Sequence, residues 1–127
     1  MSTIIEAKEL TLKYGKKPAF QNISLKIQQK QIFAIVGPSG CGKSSFLSCL
    51  NRMVEHESNA QLSGEVLFHN QAISSYPVSD LRQRISIVYQ DPAPFPFSIE
   101  KNFKLVLKGR YFGDWKERMQ FVLEAVD

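Results

Sequence analysis

Apolar side chains fall at Ile5, Ala7, Leu10 and Leu12, an imperfect period of two that suits a half-buried strand. Phe20, Ile23, Leu25 and Ile27 form a second alternating run. Tyr14-Gly15-Lys16-Lys17-Pro18 lies between them and is predicted to turn. Residues 3–27 are therefore expected to make an antiparallel arm. Two continuous apolar runs follow, Gln31-Ile32-Phe33-Ala34-Ile35-Val36 and Ile85-Ser86-Ile87-Val88-Tyr89. Their length and β-branched content predict buried strands.

Between those runs the pattern changes. Lys43 to about Met53 is predicted helical, and Glu55 to Gln61 is a polar stretch. Gly64-Glu65-Val66-Leu67-Phe68 is predicted as a strand, with a turn near His69-Asn70-Gln71. Glutamine tolerates positive φ poorly, so that turn is expected to be wide. Asp80-Leu81-Arg82-Gln83 suits a short helical turn. Pro92, Pro94 and Pro96 break the next segment into an extended loop. Ser98 can cap a helix reaching about Leu107. Asp114 with Glu117 resembles a capping box for a last helix, with Trp115, Met119, Val122 and Val126 on one face. Ordinary packing is the simplest role for that stripe. The helical pattern still runs at Asp127, so the expectation is a domain cut short.

Composition narrows the class. The 127 residues suit one modest domain or a piece of a larger one. A formal net charge of +4 fits a polyanionic ligand. No run of five basic residues is present, so nucleic acid is not expected as a partner. No apolar stretch approaches the roughly 20 residues a membrane-spanning helix needs. Met1-Ser2-Thr3-Ile4-Ile5-Glu6 lacks the basic start of a signal peptide, so a cytosolic location is expected. Cys41 and Cys49 would lie roughly 10 Å apart along a helix, too far for a disulfide.

The strongest chemical signal is Gly37-Pro38-Ser39-Gly40-Cys41-Gly42-Lys43-Ser44. It matches the phosphate-loop pattern G-x-x-x-x-G-K-[ST], between an expected strand and an expected helix. Glycines let consecutive N–H groups turn inward on an anion, and the helix dipole adds to the field. Lys43 is expected to reach the β and γ phosphates, and Ser44 to hold Mg²⁺ through its hydroxyl. Cys41 stands at an unspecified position of the motif, where a small residue is enough.

With these features in place, the chain resembles the nucleotide-binding subunit of an ATP-binding cassette transporter over all 127 residues. Tyr14 sits where the family has an aromatic that stacks on adenine. Gly37 to Ser44 match its Walker A loop, followed here by Ser45, where threonine is commoner. Gln90 matches its Q-loop glutamine. Three stretches look most like the phosphate-import branch: Gly37 to Ser44, Leu50-Asn51-Arg52-Met53, and Pro94-Phe95-Pro96-Phe97-Ser98-Ile99.

The resemblance implies an α/β P-loop NTPase with an antiparallel β arm (1–30), an incomplete parallel core sheet (31–90) and the start of a helical subdomain (91–127). ATP and Mg²⁺ are the implied cofactors. Tyr14 and Gly37, Pro38, Ser39, Gly40, Cys41, Gly42, Lys43, Ser44 and Ser45 would contact nucleotide. Lys43 and Gln90 would be catalytic, and Ser44 and Gln90 would hold the metal. The implied partners are a second copy of the subunit and transmembrane permease subunits, at the cytoplasmic face of the inner membrane. Phe95 and Phe97 would then be contact residues, filling the core being the plainer alternative.

The family's later motifs do not follow: no L-S-G-G-Q signature, Walker B strand, D-loop or switch histidine. Leu62-Ser63-Gly64-Glu65 is not a signature, since it precedes Gln90 and leads into a strand. His56 and His69 are expected on the surface. The 127-residue chain alone is expected to turn over no ATP. By helix rise, Glu55 and Glu57 are expected about 15–20 Å from the N-terminus of the loop helix, too far to help. In the family, other strands separate 31–36 from 85–89, so the two are expected about 14 Å apart and unbonded. Different-class alternatives are another phosphate-loop enzyme, such as a small-molecule kinase, and a non-catalytic binding module.

Overall fold

A computed structural model describes residues 2–108 and 113–127. These residues form two compact units, one ending at Val88 and the other running from Tyr89 to Asp127.

The first unit is built on a four-stranded antiparallel sheet, in the order β2-β1-β3-β4. Its strands are β1 (Thr3–Tyr14), β2 (Lys17–Gln28), β3 (Ala60–Phe68) and β4 (Gln71–Ala72). The imperfect alternation of the first two runs has a structural cause. The pairing Ala7↔Leu25 is followed by Leu10↔Ile23 and then Leu12↔Phe20. β1 therefore carries an extra residue near Glu9, and β2 carries one near Asn22. Both sit at positive φ, 47° and 50°. Each bulge shifts the phase by one residue, so Ala7, Leu10 and Leu12 all face the core. Opposite the first bulge, Gly64 has φ 90°, and a Cβ there would lie 2.5 Å from the Glu9 carbonyl oxygen. Only glycine fits that position. Leu62-Ser63-Gly64-Glu65 is thus strand and bulge partner, as its rejection as a signature required.

Two tight turns set the register. Gly15-Lys16 joins β1 to β2, with Gly15 at φ 59°. His69-Asn70 joins β3 to β4, with φ 49° and 61°. The wide turn expected at Asn70-Gln71 is corrected. Positive φ falls on His69 and Asn70, and asparagine tolerates it, while Gln71 is already in β4. Both histidines are exposed.

Helix α1 (Lys43–Leu50) lays Phe46, Cys49 and Leu50 against the sheet, the i, i+3, i+4 face of a helix. Phe46 meets Phe20 edge to face at 5.7 Å. The helix ends three residues before Met53, because Arg52 is left-handed at φ 64°. A 3-10 turn (Met53–His56) then turns the chain toward β3. After β4 come a short 3-10 turn (Ile73–Ser75) and α2 (Val78–Arg84), which buries Leu81.

The two apolar runs expected as buried strands are not strands. Residues 31–36 and 85–89 pair with no other segment among the described residues. Ile32 is 99% exposed, Val36 87% and Val88 98%. Only Ile35 and Ile85 pack partly on the core. The two runs share no hydrogen bond, as expected, and both present open backbone and apolar side chains. No parallel pairing exists among the described residues. The α/β class is seen as helices on an antiparallel sheet.

The second unit holds α3 (Ile99–Leu107) and α4 (Trp115–Val126), which pack on each other. Ser98 caps α3 by accepting from the Lys101 N–H at 3.2 Å. Asp114 caps α4, accepting from the Lys116 N–H at 2.9 Å. That bond reaches the second helical residue, not the Glu117 position of a capping box. Neither helix fully buries a residue. Trp115, Met119 and Val122 are half-buried and Val126 is exposed, consistent with packing along most of the predicted stripe. No described helix is long and apolar enough to cross a membrane.

Candidate functional site

The glycine-rich loop leaves the exposed run 31–36 and enters α1. Gly42 is the N-cap, with φ 95°. A Cβ on it would lie 2.5 Å from the Ala19 carbonyl oxygen of β2. The last glycine of the motif is therefore demanded twice, by its backbone angle and by the strand beneath it. Gly40 is also at positive φ, 79°.

No side chain caps α1, and no acidic residue lies in its first turn. The first N–H to find a helical acceptor is that of Phe46, on Gly42 O at 2.8 Å. The N–H groups of Lys43, Ser44 and Ser45 are left without one, as at any helix start. They add a positive end that no carboxylate of the first turn neutralises.

Lys43 folds back over the loop. Its Nζ donates to Gly37 O at 2.7 Å and Pro38 O at 2.8 Å, and lies 3.5 Å from Cys41 Sγ. An ammonium has three donors, and the loop itself accepts all of them. Ser44 is exposed at the second position of the helix.

Tyr14, at the end of β1, reaches the same helix. Its hydroxyl donates to Ser45 Oγ at 3.3 Å. The ring is half-buried against the core. Burial raises the hydroxyl pKa, the Ser45 bond opposes this, and the charge of Glu57 adds to the rise. The phenol therefore stays neutral. Glu57 corrects the helix-rise argument. The chain reverses after Leu50 and returns along β1, with Tyr14 opposite Ala60. Glu57 is thereby brought back beside Tyr14 and Cys49, while Glu55 is tied to Arg52 at 2.7 Å.

Of the residues singled out from the sequence, Tyr14 and Gly37 to Ser45 come together around the start of α1. Gln90 is exposed in the bend that opens the second unit. No group of three His, Cys, Asp or Glu able to hold a metal occurs among the described residues.

Sequence reasoning missed the residues that anchor the far end of α1. Asn51 is buried; its Nδ2 donates to Ile85 O at 3.4 Å, and its Oδ1 accepts from the Met53 N–H at 3.2 Å. Arg82 of α2 donates to Asn51 O and Arg52 O, and Arg52 donates to Tyr76 O. The loop helix is thus tied to α2 and to the start of the run 85–89. An asparagine directly after an apolar helix was the available signal.

A glycine loop held on a strand and opening into an uncapped helix belongs to the phosphate-loop class of nucleotide-binding domains. The family model described as "ABC transporter" matches residues 20–127, and the chain belongs to that family. It is 45% identical over 127 residues, 98% of its length, to Phosphate import ATP-binding protein PstB 2 of Lactiplantibacillus plantarum, covering 50% of that protein. It is 44% identical over 110 residues to the protein of the same name from Lactobacillus acidophilus, covering 85% of this chain and 44% of the relative. Against Phosphate import ATP-binding protein PstB 1 of Nitrosococcus oceani, identity is 38% over 125 residues. The chain spans about half the length, or less, of these curated relatives. All of β1, with Tyr14, and the first three residues of β2 precede the family match.

Proposed function

We propose that this chain is the nucleotide-binding part of an ABC importer's ATP-binding subunit, and that the imported solute is inorganic phosphate. The observation that carries the first half is the loop itself: Lys43 rests on Gly37 O and Pro38 O, above a helix start with no side-chain cap and no acidic residue in its first turn. The solute is supported by the relatives' names and by no side chain of this chain.

In this reading the triphosphate draws Lys43 off its two carbonyls and takes its charge. The free N–H groups of α1 meet the phosphate oxygens. Tyr14 offers its ring edge and face to adenine, already fixed beside α1 by Ser45. Mg²⁺ is a hard cation that prefers oxygen and keeps several waters. Ser44 Oγ, exposed at the helix start, would hold it, and the Gln90 amide oxygen is the second ligand the resemblance implies. When bound, the ion would supply charge neutralisation to the phosphates. Gln90 also orients the attacking water.

The finer architecture belongs to the same proposal. Residues 1–30 are the antiparallel arm, 31–90 the loop core and 91–127 the Q-loop and the start of a helical subdomain. In the whole subunit, 31–36 and 85–89 become strands of a parallel sheet once neighbours lie beside them. Two subunits face each other across two ATP molecules, at the cytoplasmic face of the membrane, with permease subunits docked on the Q-loop region.

Calorimetric titration tests the site. Lys43→Ala should weaken ATP on the order of 10- to 100-fold, the range for a lost hydrogen bond to a charged group. Tyr14→Ala should weaken ATP more than inorganic triphosphate, which has no base to stack. Equal losses for both ligands remove Tyr14 from the site. Lys43-dependent hydrolysis by the purified 127-residue chain would refute its predicted inactivity, which rests on the lack, within these residues, of a signature motif and of a carboxylate placed to polarise water.

A further inference from the structure

The loop 91–97 is exposed throughout, and its prolines at 92, 94 and 96 supply no N–H. Such a segment has little to hold it. Its last residues are nevertheless held by one side chain. Asn102, in the first turn of α3, accepts from the Phe95 N–H at 3.0 Å through Oδ1. Its Nδ2 donates to Phe95 O at 3.1 Å, Phe97 O at 3.2 Å and Ser98 O at 3.0 Å. An amide has two hydrogens, so three acceptors share them. The Phe97 N–H also bonds Phe95 O at 2.7 Å, closing a tight turn over Pro96.

What the clamp fixes is a pair of rings. Phe95 and Phe97 stack with centroids 6.4 Å apart and planes at 28°. Lys101 Nζ stands 4.1 Å from the Phe97 centroid. The rings stay 59% and 48% exposed. Burial does not explain their order. Rigid aromatics held in solvent are pre-organised for contact, since ordering at the moment of binding is what weakens an interface. Beside them Lys101, Lys104 and Lys108 line a groove of about 510 Å³, with Glu100 as the one acidic residue among its described lining.

We propose that Asn102 is the positioning residue of this aromatic edge, and that its occupant is a membrane-subunit segment with aliphatic side chains flanked by acidic ones. This rests on the reading in which loop 91–97 meets the permease. Asn102 touches neither nucleotide nor partner; it acts through the two rings.

Two variants and a control test it, using the full chain and permease subunits of a phosphate importer from the same cell, in nanodiscs. Asn102→Leu removes every clamp bond. Asn102→Asp keeps the acceptor for Phe95 N–H but sets a carboxylate against three carbonyl oxygens. In the leucine variant the Phe95 and Phe97 amides should lose protection from hydrogen exchange, and in the aspartate variant the Phe97 amide should, while the α3 amides keep theirs. Permease affinity should fall about tenfold or more, with ATP affinity unchanged. Unchanged protection at Phe95 and Phe97 in the leucine variant overturns the clamp. Lost protection with full permease affinity overturns the positioning role. If Phe95→Ala with Phe97→Ala leaves permease affinity intact, the docking reading itself falls, and this inference with it.

Discussion

Leu10 and Ile32 both sit in apolar runs of the same chain, and their fates are opposite. Leu10 is wholly buried and Ile32 is 99% exposed. Leu10 lies on β1, an inner strand flanked by β2 and β3, and pairs with Ile23 of β2. Ile32 lies in a run with no strand on either side. Side-chain propensity for the extended state spans only about 1 kcal/mol, whereas a buried backbone group without a partner costs more than that. The difference between the two regions is therefore the neighbour and not the residue. An apolar run becomes a strand when another backbone satisfies it.

The largest effect that can sharpen this contrast comes from truncating both side chains. Leu10→Ala should lower unfolding stability by about 3 kcal/mol, as for a fully packed leucine. Ile32→Ala should change it by less than about 0.5 kcal/mol, as at an open surface site. Urea titration followed by circular dichroism reads both. A cost at Ile32 approaching that at Leu10 would break the comparison, because Ile32 would then be packed in solution.

Much of the paired region was legible in the sequence. The step from Ala7 to Leu10 broke the alternation where β1 bulges, and the step from Phe20 to Ile23 did so in β2. The phosphate loop and the Ser98 cap stand where the motif and the hydroxyl placed them. What stayed hidden depended on partners far along the chain. Composition alone cannot tell a paired β-branched run from an unpaired one, so it predicts strands at 31–36 and 85–89 where this structure has none. Asn51 and Asn102 are ordinary in sequence; their hydrogen bonds to Ile85 and Phe95 exist only once the chain has turned. The position of Glu57 depended on the left-handed Arg52 that ends α1 early.

A second, smaller effect probes the packed side with pH. Cys49 is wholly buried, its thiol donates to Ser45 O at 3.2 Å, and burial, with the Glu57 charge adding, pushes its pKa up to about 12. In the unfolded chain the thiol titrates near its usual value of about 8.5. The folded pKa is raised, so the contribution is fully present below about pH 8.5 and is lost as pH climbs toward 12. Each unit in that window is worth about 1.4 kcal/mol. Stability should thus fall by about 2 kcal/mol between pH 8.5 and 10 on this account, with the raised Tyr14 hydroxyl acting in the same direction above about pH 10. Cys49→Ala should remove the thiol's share and flatten the slope. Equal slopes for variant and parent would mean the thiol meets water in solution, and the packed region would lose its distinction from the open one.

The smallest stability effect is expected on the open side, and it separates propensity from exposure. Val36 and Val88 are 87% and 98% exposed, with unpaired backbone on either side. Valine and threonine have the same branched shape and similar strand preference, so Val36→Thr with Val88→Thr changes polarity and little else. Stability should move by less than about 0.5 kcal/mol. Self-association should fall, because an exposed apolar run with open N–H and C=O groups is a template for another chain. Light scattering across a concentration series, beside urea titration, reads both quantities. A stability loss above about 1 kcal/mol with unchanged association would show these valines to be buried within one molecule, and the contrast between paired and unpaired runs would then need another cause.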